Sequence, residues 1–133
     1  MTPLFKKLNL GTLQRIHVLN APASFEGELA ALDGVEIKRD ARGKIAWALA
    51  FAVTQDELDK ASHALVKAAD GDAQLWIAYP KGSSKRYRCE FNRDSGWTVL
   101  KDAGFDTVRM VAIDEDWSAL RFRRSEYIKA SAK

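Results

Sequence analysis

The sequence has few of the residues from which catalytic and metal sites are most often built. Its 133 residues include one cysteine, Cys89, and two histidines, His17 and His63. A single cysteine excludes an intramolecular disulfide and a cysteine-rich metal site. It is also typical of a protein in a reducing compartment. We therefore predict a cytoplasmic protein with no metal site, and the sequence identifies no catalytic residue.

Long hydrophobic runs are also absent. The longest apolar run, Ile45 to Val53, is far shorter than the roughly 20 residues that span a bilayer. The first residues, MTPLFKKLNLG, carry two lysines without an apolar stretch behind them. A signal peptide needs such a stretch. We expect neither a signal peptide nor a membrane partner.

The composition is that of an ordinary globular protein, with 47% hydrophobic and 29% charged residues. A chain of this length can bury a core without disulfides or metals, so we expect a single domain over residues 1–133. The net charge of +3 permits contact with phosphate groups. It falls short of the clustered excess that a dedicated nucleic-acid-binding protein carries.

The centre of the chain predicts a strand, a helix and a second strand. Ile45–Val53 is apolar on both alternating faces, which is typical of a strand buried inside a sheet. Thr54 and Glu57 form a capping-box pattern at the start of an amphipathic helix of about four turns. Ala73–Tyr79 is the next predicted strand. Two strands joined in this way are expected to be parallel, with a right-handed crossover.

The flanking segments predict further elements of the same sheet. The N-terminal part predicts a short helix from Thr2, a strand at Arg15–Asn20, a short helix capped by Ser24 and a strand at Val35–Lys38. The direction of Val35–Lys38 stays open, since close pairing with Ile45–Val53 would make the two antiparallel. The C-terminal part predicts a helix starting at Asn92–Ser95, an antiparallel pair of strands at Thr107–Ile113 and Ser118–Arg123, and a charged tail.

This order of elements resembles the later half of a class I methyltransferase fold, in which a strand, helix and strand precede a helix and a closing antiparallel hairpin. The stretches LWIAYPKGSSK and VAIDEDWSALRFRR are also similar to those of small uncharacterised bacterial proteins classed as domains of unknown function. The resemblance covers Leu75 to Arg123 most specifically. It implies an α/β fold, a Rossmann-like three-layer sandwich with a mostly parallel sheet and an antiparallel C-terminal hairpin. It implies no particular activity.

The sequence departs from the methyltransferase pattern where that fold holds its cofactor. The resemblance implies a glycine-rich turn after the first strand, but here Asn20, Ala21 and Pro22 follow it. Proline also removes a backbone donor. The link before Ile45 is too short for the usual intervening strand and helix. We therefore predict no cofactor, and we expect S-adenosylmethionine not to bind with micromolar affinity.

The histidines and the cysteine are weak candidates for chemistry. His63 lies off the apolar face of its helix, and His17 has no Cys or Asp beside it in its strand. Cys89 follows the basic residues Lys85, Arg86 and Arg88, whose charges can lower a thiol pKa. No base for it is identifiable, so an incidental cysteine near a strand edge is the favoured interpretation.

The acidic run Asp114–Asp116 and the tryptophans each have a structural interpretation. The carboxylates could bind a hard cation or take part in acid–base catalysis, but a charged hairpin turn accounts for them better. Trp47, Trp76 and Trp97 fall on core-facing patterns. Trp117, beside the acidic run, is the one tryptophan that the pattern leaves as a candidate for ligand contact.

The best candidate site is an anion site where the strand Ala73–Tyr79 ends. Ligands of open α/β sheets collect outside the carboxyl ends of the strands. Gly82 permits a turn that presents amides, the serines add hydroxyls, and the lysines add charge. The alternative is a solvated basic loop. The predicted ligand-binding residues are Asn20, Val53, Lys81, Gly82, Ser83, Ser84 and Lys85, with Asp114 and Trp117 on the rim.

Three functions are compatible with this site. The favoured one is a non-catalytic module that binds an anionic small molecule or a protein partner. The first alternative is a reduced methyltransferase-like enzyme that uses the same crevice. The second is weak RNA binding through the basic loop and Trp117, for which a steep salt dependence is expected.

Overall fold

A computed structural model describes residues 2–92 and 94–131. It contains six strands, five α-helices and a short 3-10 helix at Ala23–Phe25 in this part of the chain. The strands are β1 (Arg15–Leu19), β2 (Glu36–Lys38), β3 (Ile45–Phe51), β4 (Ala69–Pro80), β5 (Phe105–Ala112) and β6 (Trp117–Arg124). The helices are α1 (Pro3–Lys7), α2 (Glu26–Ala30), α3 (Gln55–Ala68), α4 (Thr98–Asp102) and α5 (Ser125–Ser131).

The strands form one mixed sheet in the order β2-β1-β3-β4-β6-β5. Strands β2, β1, β3 and β4 are parallel, whereas β6 is antiparallel to both β4 and β5. The predicted α/β class, with a mostly parallel sheet and an antiparallel C-terminal hairpin, is confirmed. The strand order reverses at β1, because the chain first extends the sheet to β2 and then returns to β3 on the other side.

The direction of β2 is now defined. It pairs with β1 in parallel, with Ile16 opposite Ile37. The antiparallel pairing with β3 that the sequence left open is wrong, because β1 lies between the two strands. The link between β2 and β3, residues 39–44, contains no helix or strand. It folds over β1, where the Asp40 carbonyl oxygen lies 2.7 Å from His17 Nδ1.

The central strand β3 supplies side chains to two core layers. Trp47, Leu49 and Phe51 point toward α1 and α2, where they pack with Phe5 and Phe25. The alternating alanines of β3 face the other layer, as the sequence predicts, and their small side chains let α3 approach the sheet. Large side chains on one face and small ones on the other thus place different helix layers on the two sides.

Helix α3 begins at the predicted capping box. The Thr54 hydroxyl accepts a hydrogen bond from Glu57 N (3.1 Å), and Glu57 Oε1 accepts one from Thr54 N (3.0 Å). Glu57 Oε1 also accepts from Val53 N (2.9 Å). Leu58, Ala61 and Leu65 then bury one face of the helix. The spacing of these residues and the cap together define where the helix begins and which side faces the sheet.

Thr54→Ala is expected to lower the free energy of unfolding by about 0.5–2 kcal/mol, because an amide of the first turn loses its acceptor. Thr54→Ser keeps the hydroxyl and is the matched control, with an expected effect well below that of alanine. Chemical denaturation followed by circular dichroism measures both. Equal stability of the alanine variant and the parent would mean that this cap does not limit the start of α3.

Several predicted boundaries differ from the structure. Ser24 lies inside the 3-10 helix and caps nothing, because the chain enters that helix at Pro22. The helix predicted from Asn92–Ser95 begins only at Thr98, since Asn92 and Ser95 form an isolated bridge instead. The predicted charged tail contains α5. Strand β4 starts four residues early, immediately after α3, with Gly71 at a φ of 55° inside it.

Within the described residues, no helix is long and apolar enough to cross a membrane.

Candidate functional site

The carboxyl ends of the parallel strands form one rim of the sheet, which we call the carboxyl rim. It comprises Asn20 after β1, Ala52 and Val53 after β3, and Lys81 after β4. Since β6 is antiparallel to β4 and β5, the turn Asp114–Asp116 between β5 and β6 lies at the same rim. The rim also contains the point where strand order reverses, which is where ligands of open α/β sheets bind.

Asn20 is exposed and has a φ of 60°, in the left-handed region. Asparagine occupies that region more readily than other residues with a side chain, because its short amide can hydrogen-bond locally. The turn after β1 therefore has a left-handed residue despite the missing glycine. The neighbouring Pro22 still lacks a backbone donor. Asn20 thus keeps a left-handed conformation at the first residue of this turn, whereas Pro22 removes one of its backbone N–H donors.

The end of β3 is occupied by groups of the chain itself. Val53 N donates to Glu57, and Val53 O accepts a hydrogen bond from Glu90 N (3.1 Å). The Glu90 carboxylate in turn accepts from Gln55 N (2.8 Å) at the start of α3. A carboxylate at this position is stabilised by the positive end of the helix dipole. Glu90 thus occupies the helix terminus that an external anion would otherwise contact.

The predicted anion loop is joined to the turn between β5 and β6. Lys81 N donates to Asp116 O (2.8 Å), and the Ser84 hydroxyl donates to Asp116 Oδ1 (2.8 Å). The same Ser84 oxygen accepts from the amides of Arg86 and Tyr87 (3.2 and 3.3 Å). Ser84 therefore holds the loop together and has little capacity left for a ligand.

Charges of both signs line the space beside this loop. A cavity of about 420 Å³ is lined by Ser83, Lys85, Arg86, Glu115 and Asp116. Arg86 Nε lies 3.9 Å from Asp116 Oδ2. The carboxylates of Glu115 and Asp116 thus place negative charge beside this basic loop. Lys81 and Gly82 line a separate cavity of about 300 Å³, nearer to β4 and β5.

Trp117 is packed rather than presented to solvent. It is 3% exposed, and its ring lies edge-on to Phe51 with centroids 5.1 Å apart. Tyr87 of the basic loop covers it at 4.9 Å. The Asp114 carboxylate accepts from the amides of Asp116 and Trp117 (2.8 and 2.9 Å), as expected of a hairpin turn. The structure thus brings Lys81–Lys85 together with the Asp114–Trp117 turn, while Asn20 and Val53 lie at the ends of β1 and β3.

The other candidates for chemistry are accounted for by packing. His63 is exposed, and His17 is 2% exposed beneath the Asp40 carbonyl. Burial raises the pKa of the Cys89 thiol, so the lowering that the basic neighbours suggested is wrong. Trp47, Trp76 and Trp97 are all buried, as predicted. No group of three or more metal-binding side chains occurs among the described residues.

The pKa of the Glu57 carboxyl is lowered, chiefly by the hydrogen bonds from the Thr54 and Val53 amides. Its ionised form therefore favours folding. This contribution to stability is fully present above the pKa of an ordinary glutamate, about 4.3. It is lost as the pH falls through the lower pKa that Glu57 has in the folded protein.

Glu57→Gln is expected to lower the melting temperature at about pH 7 and to matter less at about pH 3, where the parent carboxyl is protonated as well. Thermal unfolding at the two pH values measures this difference. Glu115→Gln, which alters an exposed carboxyl on the turn, is the control and should change the melting temperature little at either pH. A Glu57→Gln difference that is equal at both pH values would contradict the lowered pKa.

The sequence matches no family profile and no curated protein. The structure is similar to a SAM-dependent methyltransferase from Aquifex aeolicus, with a TM-score of 0.60 and 15% identity over 90% of this chain and 87% of that one. It is also similar to magnesium protoporphyrin IX methyltransferase from Synechocystis PCC 6803 with bound SAM, with a TM-score of 0.56 and 17% identity over 91% and 74% of the two chains.

A third similar structure is the N-methyltransferase NodS from Bradyrhizobium japonicum WM9 in complex with S-adenosyl-L-homocysteine (SAH). Its TM-score is 0.56, with 12% identity over 92% of this chain and 88% of that one. These likenesses show a methyltransferase-like fold. At such low identity they show the fold alone.

Proposed function

We propose that the chain is a reduced methyltransferase-like protein whose ligand site is the carboxyl rim beside β1 and β3. The observation that carries the proposal is the left-handed Asn20 at the reversal of strand order. A turn of this kind brings backbone close to a ligand at the switch point. Because similar structures are methyltransferases, and two of them hold SAM or SAH, an adenosyl ligand of that kind is our first candidate.

The residues around Asn20 suit a ligand with both apolar and polar parts. Leu19, Ala21 and Val53 are half-buried, so each leaves apolar surface at the rim. Asn20 and Asp40 are exposed at the ends of β1 and β2 and carry polar groups. Small-molecule sites commonly combine a mainly apolar lining with a few polar groups.

The same rim also explains why we expect weak binding. Pro22 has no backbone N–H to donate. The helix that follows it, α2, is only five residues long. Arg39 is held by two hydrogen bonds to Glu26, both 2.8 Å long. Glu90 occupies the start of α3. Each hydrogen bond that a charged ligand group fails to form costs about 1.5–3 kcal/mol, or roughly tenfold or more in affinity. We therefore keep the expectation that the affinity is weaker than micromolar.

The second candidate function is a non-catalytic module that binds an anion through the loop Lys81–Lys85. One observation favours it: neither Lys81 nor Lys85 has a salt bridge within the described residues, so both ammonium groups are available. The carboxylates of Glu115 and Asp116 beside Lys85 weigh against it. The structural comparisons favour the first candidate, because the similar structures reported above are methyltransferases.

Saturation-transfer NMR with SAH tests the first candidate, because it detects ligands that bind weakly. The adenine protons should receive saturation from the parent protein and from Asn20→Gly, which keeps the left-handed turn. Asn20→Val should reduce the signal, since a β-branched residue is strained at a positive φ. Circular dichroism establishes that each variant is folded. No signal with the parent, or an equal signal with all three proteins, would overturn the proposal.

A sulfate titration of the parent and of Lys81→Ala/Lys85→Ala separates the second candidate from the first. Binding of sulfate that the double variant loses would support the anion module. If SAH also gives no signal, anion binding through Lys81–Lys85 would replace adenosyl-ligand binding as the proposed function of this rim.

A further inference from the structure

A row of three nitrogen-bearing side chains crosses the sheet far from the turn after β1. Trp76 of β4 lies opposite Arg121 of β6, and Arg121 lies opposite Arg109 of β5. We call these residues the Trp76 row. Residues directly opposite each other project to the same face of a sheet. Trp76 belongs to the core layer on the α1 side of the sheet, so all three side chains lie on that side.

Two donors in this row have no acceptor. Trp76 Nε1 and Arg121 Nε are buried, and within the described residues neither forms a hydrogen bond. Trp76 is fully buried. A buried donor without a partner costs about 1–3 kcal/mol, and more for a charged group. The indole nitrogens of Trp47 and Trp97, by contrast, donate to the carbonyls of Leu8 and Asn92 (3.0 and 2.8 Å).

Negative charge near the row is already engaged. The Asp72 carboxylate accepts two hydrogen bonds from Arg123 (2.8 and 2.7 Å). Asp106, opposite Arg123 in the register, accepts from the Ser125 hydroxyl. The pKa of Arg121 is lowered, first by burial and then by the charge of Arg123. The Asp72 carboxylate raises it and Arg109 lowers it further. An additional negative group beside Arg121 would therefore stabilise its charged form.

The row is accessible from one side. Arg121 is half-buried, whereas Arg109 is exposed. The residues from Asp106 to Met110 are all exposed, so β5 is uncovered on both faces along this stretch. A solute can therefore approach Arg121 past β5, whereas Trp76 closes the inner end of the row.

We propose that the Trp76 row is a binding site for an oxyanion, either a phosphate or a carboxylate group. Its oxygen atoms accept hydrogen bonds from Trp76 Nε1 and the Arg121 guanidinium, and Arg109 adds charge on the solvent side. Arginine suits this role because its planar donors match two oxygens of one oxyanion. The site does not include the turn after β1 or the loop Lys81–Lys85, so it is independent of the function proposed above.

The indole N–H signals in a two-dimensional ¹⁵N–¹H NMR spectrum test the proposal on the full chain. Titration with sodium phosphate or sodium acetate, at constant ionic strength set with chloride, should shift the Trp76 indole signal saturably. The signals of Trp47 and Trp97 should stay in place, because their donors already have acceptors. The two salts determine whether phosphate or carboxylate is preferred.

Arg121→Gln should raise the anion concentration needed for half-saturation of the Trp76 shift by roughly tenfold or more, since a charge-assisted hydrogen bond is lost. Arg88→Gln is the matched control, because it removes the same charge from the exposed basic loop, and it should leave the titration unchanged. Three outcomes would overturn the proposal. They are a Trp76 signal that does not move, all four indole signals moving together, and equal saturation in Arg121→Gln.

Discussion

Replacement of Trp47 by alanine is expected to lower the free energy of unfolding by about 3–5 kcal/mol, the range for truncating a large aromatic residue in a core. Trp47 is fully buried on the central strand, and its ring centroid lies 6.0 Å from that of Phe5. Its indole nitrogen donates to the Leu8 carbonyl. The substitution thus removes both core volume and the contact that holds the N-terminal segment against the sheet.

Trp47→Phe separates these two contributions. Phenylalanine keeps most of the ring but cannot donate to Leu8, so about 1–3 kcal/mol should be lost for the unpaired buried carbonyl. Equilibrium unfolding in urea measures both variants. Since small domains are stable by about 5–15 kcal/mol, the alanine variant should be partly unfolded at elevated temperature. A loss below about 1 kcal/mol for alanine would contradict the placement of the N-terminal segment against β3.

Gly96→Ala is expected to lower the free energy of unfolding by about 2–6 kcal/mol, from two effects that add. Gly96 has a φ of 99°, where a side chain is strained by about 1–3 kcal/mol. An added Cβ would also lie 2.7 Å from Phe91 Cβ and 2.8 Å from Gln55 Oε1. Overpacking of this kind costs a further 1–3 kcal/mol or so. Phe91 is buried, so it has little room to move.

Two other glycines serve as controls for Gly96→Ala. Gly104 has a φ of 87° but no atom near an added Cβ, so Gly104→Ala should show the backbone strain alone. Gly82 has neither a positive φ nor a close neighbour, so Gly82→Ala should be nearly neutral. Chemical denaturation should therefore rank the losses as Gly96, Gly104 and Gly82. Equal losses at Gly96 and Gly104 would mean that the loop moves freely away from Phe91.

The features predicted from the sequence are those that local patterns determine. The capping box at Thr54 acts within a few residues, so its two hydrogen bonds are readable from residue type and spacing. The period of β3 indicates burial on both faces, and the short turn after β5 indicates an antiparallel partner. The boundary at Ala69 is wrong because α3 passes directly into β4 without a turn between them. At Ser24 and at Asn92–Ser95, residues that commonly cap helices do not cap the helix that follows.

The features that the sequence did not predict depend on contacts between distant residues. Glu90 contacts Gln55 across 35 positions, and no spacing rule links a glutamate in a loop to that helix start. The hydrogen bond from the Ser84 hydroxyl to Asp116 across 32 positions is similar. The sequence placed Asp114 and Trp117 on the rim of this loop, but it did not predict that Asp116 binds Ser84 and Lys81. That contact depends on where β6 begins relative to the end of β4, which pairs Trp117 with Pro80.

The conformation of Asn20 illustrates the limit of arguing from residue type. The missing glycine indicated that the turn after β1 differs from that of a methyltransferase, yet Asn20 adopts a left-handed conformation. A single asparagine tolerates this conformation at modest cost. The absence of glycine therefore does not exclude a left-handed turn after β1. Pro22 remains the stronger objection, since no conformation restores its backbone donor.

The carboxyl rim beside β1 and β3 is the ligand site that we propose. The most direct test is a two-dimensional ¹⁵N–¹H NMR titration of the assigned protein with SAH, with sulfate as the comparison. We predict concentration-dependent shifts confined to the amides of residues 19–21, 39–41 and 53–55, with saturation above the micromolar range. Shifts scattered over the basic residues, the same shifts with sulfate, or no shift up to the solubility of SAH would contradict the claim.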